Sequence, residues 1–136
     1  MRQDEFLARV CERGEYRGPE EAAQITAAVL EVLGHRVAPE DAAALAALLP
    51  GDLGEPLTTG PARTGGSGGP AEGFDVAEFH RRVDERTGVR PRTAEWDAAA
   101  VLGTLAEVVP GDRLDRIAGR LPREFGALLR GATPPD

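Results

Sequence analysis

Shifted by about 72 positions, the chain falls on itself. Glu5-Phe6, Arg9-Val10 and Glu12-Arg13 recur as Glu78-Phe79, Arg82-Val83 and Glu85-Arg86; Ala27-Ala-Val-Leu30, Leu33 and Val37 recur as Ala99-Ala-Val-Leu102, Leu105 and Val109. Leu49-Pro50, Gly54 and Leu57 then recur as Leu121-Pro122, Gly126 and Leu129. About nineteen of roughly 52 aligned positions are identical with one single-residue gap, far above what shared Ala content gives. The duplication constrains the fold, because any structure open to one copy is open to the other. A copy of about 55 residues has too small a core to be more than marginally stable alone, so each is expected to bury itself against the other.

Only 4% of the residues are aromatic while 41% are hydrophobic, so Leu, Val and Ala must fill the core, which favours close-packed helices over a sheet. Each copy reads as three helices and a short fourth. The first carries Phe6 and Val10 with a stop at Gly14, repeated as Val76, Phe79, Val83 and Gly88. The second starts near Pro19, carries Ala22, Ile25, Val29, Val32 and Leu33, and stops before Gly34; its counterpart starts at Thr93 as N-cap and carries Val101, Leu102 and Leu105. The third opens at Pro39-Glu-Asp, carries Ala42, Leu45, Leu48 and Leu49, and stops before Pro50, with Leu114, Ile117 and Leu121 repeating the spacing ahead of Pro122. Those prolines are expected in the first turn of the last helix, which carries Leu53 and Leu57, or Phe125, Leu128 and Leu129.

The expected fold is therefore all-α: two homologous helical units, three long helices plus one short in each, packed as a pseudo-two-fold bundle. Residues 1–57 form the first unit and 74–131 the second. Residues 58–73 form a flexible Gly-rich linker and 132–136 a disordered tail. A linker of that length also allows two chains to exchange units, so a homodimer, including a unit-swapped one, is consistent with the sequence.

The ordered set Glu-Phe-x-x-x-Val, then Ala-Val-Leu-x-x-Leu, then Leu-Pro, present in both copies, resembles the bacterial uncharacterised domain family DUF2267. The resemblance covers nearly the whole chain outside the linker and tail. It implies a bacterial helical protein and, the family being uncharacterised, carries over no activity, substrate or site residue.

Composition excludes several chemistries. All sixteen basic residues are Arg, and the one Ser, Ser67, lies in the Gly-rich stretch, so there is no P-loop lysine, no Schiff-base lysine and no Ser nucleophile on a rigid elbow. No apolar run is long enough to span a membrane, the N-terminus is acidic where a signal peptide is apolar, and the single Cys11 suits a reducing compartment; a cytoplasmic protein is expected. His35 and His80 occupy non-equivalent positions without ligand-set spacing, so they read as surface or helix-end residues and no metal or cofactor is expected. The acids are scattered over helix starts and exposed faces, which gives no catalytic pair.

Charge separates the copies. Residues 1–57 hold 5 Arg against 11 acids, net −6, while residues 74–131 hold 10 of each, net zero. In the second copy Arg113, Arg116, Arg120 and Arg123 recur at three- and four-residue spacing, a basic stripe along the third helix. It reads either as a solvated face partly paired with Asp112, Asp115, Glu124 and the acidic first copy, or as a docking face for an acidic partner. Trp96 stands where the first copy has Gln24, and with Tyr16 it is one of two large amphipathic aromatics; it marks either an interaction hot spot or a cap between the copies. A net charge of −7 and few aromatics disfavour nucleic acid. The expected function is a non-catalytic helical module that binds another protein. The alternative is a small-ligand-binding protein or enzyme with an Arg/carboxylate cleft between the copies.

Overall fold

The computed structural model describes residues 2–59, 75–87 and 94–129. All the elements in them are helices: α1 (Gln3–Gly14), α2 (Pro19–Arg36), α3 (Pro39–Leu48), α4 (Glu55–Thr59), α5 (Val76–Thr87), α6 (Ala94–Val108), α7 (Gly111–Gly119) and α8 (Arg123–Leu129). The expected linker lies outside the described residues except for Thr58 and Thr59, which continue α4 past the boundary drawn at Leu57. The expected tail, the stop at Gly88 and the Thr93 N-cap also lie outside them.

In α1 the acids Asp4 and Glu5 meet the positive end of the helix, and the Arg2 N–H donates to Glu5 Oε1 at 3.2 Å. Phe6, Leu7 and Val10 are its buried side chains. Gly14 is the last helical residue, yet the left-handed position falls on Glu15, at φ 54°. The glycine is needed for space instead: a Cβ there would lie 2.7 Å from Tyr16 Cδ2, because the Tyr16 ring folds back over the helix end.

Helix α2 corrects the expectation of a stop before Gly34, since it runs to Arg36 and Val37 N–H still donates to Leu33 O at 3.1 Å. A Cβ on Gly34 would sit 2.9 Å from Leu57 Cα, so the missing side chain lets α4 lie directly on α2. His35, in the last turn of α2, is a helix-end residue as one of the two expected readings has it, and at 8% exposed it is not a surface residue. Pro50 is also displaced from the expected first turn of the fourth helix. A tight turn with Gly51 at φ 60° intervenes, and α4 starts only at Glu55. Pro122 immediately precedes α8, accepting from Gly126 N–H at 2.8 Å.

The first two helices of each half are shared between the halves. Helix α1 packs on α2 and α6, α5 packs on α6 and α2, and α2 also meets α6. Helix α4 covers α2 and α3, and α8 covers α6 and α7. The buried apolar residues of both halves form one cluster. Phe125 of α8 meets the Phe79 ring edge-on at 5.2 Å, and the Arg36 guanidinium of α2 lies 5.1 Å from its centroid.

Candidate functional site

Amphipathic spacing sorts α7 sharply: Leu114, Ile117 and Ala118 are buried, while Arg113 and Arg116 are exposed on the opposite side. Arg120 caps the helix end and Arg123 opens α8, so the four predicted residues do lie along one run of backbone. They are not equivalent. Arg120 Nη1 donates to Asp41 Oδ1 at 2.7 Å, and that carboxylate, only 10% exposed in the first turn of α3, has the guanidinium in place of most of its water. Among the described residues Arg113, Arg116 and Arg123 make no ion pair, whereas Arg9, Arg13, Arg81, Arg82, Arg86 and Arg120 each hold a carboxylate.

Trp96 belongs elsewhere, at the seam between α1 and α6. It is 39% exposed, and its Nε1–H donates to Gly14 O at 2.8 Å, filling an acceptor left open at the end of α1. Beside it Tyr16 Oη donates to Asp97 Oδ1 at 2.5 Å, and Asp97 is fully buried. Along the same seam Arg9 Nη1 donates to Glu107 at 2.7 Å, and Arg13 pairs with Glu107 and donates to Thr104 Oγ1 at 2.9 Å. The opposite seam carries Arg86 on Glu31 at 2.9 Å. Trp96 thus caps the junction between α1 and α6 while leaving part of the indole in water.

Asp97 sits in no motif of the sequence. Its signal was in the self-alignment: Asp97 stands opposite Ile25, which is 3% exposed, so a carboxylate occupies a core position in one copy only. A buried carboxylate needs donors, and Tyr16 from the other half supplies one. Tyr16→Phe is expected to cost about 1–3 kcal/mol by removing that donor, read as a lower urea midpoint with an unchanged m-value.

A family model described as an uncharacterized conserved protein matches residues 3–128, from the first residue of α1 almost to the end of α8. The chain belongs to the DUF2267 family. No curated protein matches it.

Two other features of this DUF2267 chain bear on chemistry. His80 Nε2 is buried without a hydrogen-bond partner, and burial pushes the imidazole pKa down against the opposing pull of Glu95. Among the described residues no three His, Cys, Asp or Glu side chains gather as a metal set, and no helix is long and apolar enough to cross a membrane. An open depression of about 540 Å³ lies on the outer face of α1, lined by Asp4, Ala8, Cys11, Glu12, Tyr16 and Pro19. It belongs to the first half alone and holds two carboxylates but no Arg, unlike the Arg/carboxylate cleft between the copies that the alternative reading requires.

Proposed function

We propose that this DUF2267 chain is a non-catalytic interaction module of the bacterial cytoplasm, made of two helical copies related by a pseudo-two-fold axis, whose α7 face docks an acidic protein surface. The reciprocal packing of α1 on α6 and α5 on α2, with α2 against α6 between them, supports the pseudo-two-fold arrangement. The docking reading is carried by one observation. Arg113, Arg116 and Arg123 are exposed and lack ion-pair partners among the described residues, while Arg9, Arg13, Arg81, Arg82, Arg86 and Arg120 hold carboxylates. Solvated guanidiniums pre-positioned by a packed helix can meet partner carboxylates with little ordering cost.

Affinity capture from the host cytosol tests this, with Arg113→Glu/Arg116→Glu as the comparison bait. Arg120 is left intact because reversing it would strand the Asp41 carboxylate and perturb folding. A protein recovered by the native chain and lost with the variant, at equal melting temperature, is the expected result. Identical recoveries from both baits would remove α7 as the docking face and turn attention to small-ligand screens.

A further inference from the structure

The depression on α1 and the arginines of α7 are chemically matched. In the depression Asp4, Ala8, Cys11 and Glu12 share one helical face, and Tyr16 and Pro19 complete an apolar floor with the two carboxylates beside it. Asp4 is already engaged, accepting the Glu5 N–H at 3.1 Å and lying 3.9 Å from an exposed Arg2. Glu12 is exposed and makes no ion pair among the described residues. Such a lining suits a guanidinium on a long apolar stem, the stem lying on Ala8, Tyr16 and Pro19 and the head reaching a carboxylate.

Cations of that shape stand unpaired on the same chain, at Arg113 and Arg116. The charge balance runs the same way, with net −6 in residues 1–57 against zero in residues 74–131.

We propose that the acidic partner of the α7 face is a second copy of this chain: Arg113 and Arg116 of one molecule dock in the depression on α1 of the next. The inference rests on the reading of α7 as a docking face and names its partner. Because the two patches differ, the contact is heterologous, and repeated use of it closes a ring or extends a filament.

Sedimentation velocity of the full chain over a range of concentrations tests the contact. At low salt the mass should climb above the monomer with concentration, and high salt should return it to the monomer. Glu12→Arg, and separately Arg113→Glu/Arg116→Glu, should each weaken self-association about tenfold or more. An equimolar mixture of the two should co-assemble with the chains alternating, since the native α7 of the first meets the native depression of the second and the reversed charges meet at the other contact. Combining all three substitutions on one chain should restore assembly through the exchanged charges.

A chain that stays monomeric at every concentration overturns the inference. So does assembly indifferent to Glu12→Arg, the behaviour of a unit-swapped dimer. If the native chain is monomeric but cytosolic capture still loses a protein with the α7 variant, self-docking falls while α7 as a docking face stands.

Discussion

Gly34→Ala should lower the stability of the chain by about 3 kcal/mol, although the same change in an open helix is favourable. Alanine ordinarily gains about 1 kcal/mol over glycine in a helix interior. At Gly34 the added Cβ would be 2.9 Å from the Cα and the carbonyl carbon of Leu57, both backbone atoms that no rotamer change can move. Helices α2 and α4 must then separate, opening the core around Leu57, which is fully buried. Gly119→Ala provides the opposite sign. Nothing lies within 4 Å of a Cβ there, so the substitution should gain about 0.5–1 kcal/mol. Urea unfolding of both variants checks the pair, and similar midpoints for the two would show that α4 does not rest on α2 as described.

Phe6→Ala and Phe79→Ala should each cost about 3–5 kcal/mol, through lost transfer energy and the cavity left behind. Both rings are fully buried, one in α1 and the other in α5. Each of these helices packs on the second helix of its own half and on that of the other, so a cavity under either ring loosens both halves. Each variant is expected to unfold in one cooperative step at a lowered midpoint, with Trp96 fluorescence and helical circular dichroism changing together. Two separated transitions, only one of them shifted, would mean that the halves fold as independent units.

Much of the architecture is legible in the sequence because helix formation is local. The apolar spacing of Phe6 and Val10, the proline at position 19 and the Pro39-Glu-Asp opening each act within a turn or two; α1 carries the first pair, and α2 and α3 begin at the two prolines. The glycines were harder to read. A glycine near a helix end is ambiguous between a conformational stop and a space-saving contact, and at Gly14 and Gly34 contact prevails: the Tyr16 ring occupies one space and the Leu57 backbone the other. Pro50 does not start a helix, since a turn with Gly51 at φ 60° intervenes before α4, which packs on α2.

The candidate surface divides along the same line. The three- and four-residue spacing of the α7 arginines follows from the helical period, so the stripe was visible in one dimension. Which of its members is already spent was not, because Asp41 lies 79 positions away from Arg120 and meets it only when α3 and the end of α7 come together. Tyr16 and Asp97, 81 positions apart, are bound to each other for the same reason. By itself the sequence determined the helical class and the charge difference between residues 1–57 and 74–131, properties of short-range periodicity and of counting. The tertiary structure alone decided which polar groups face one another across the seams, and so which charges are neutralised and which remain available to a partner, because those pairings depend on contacts between distant segments that no local pattern encodes.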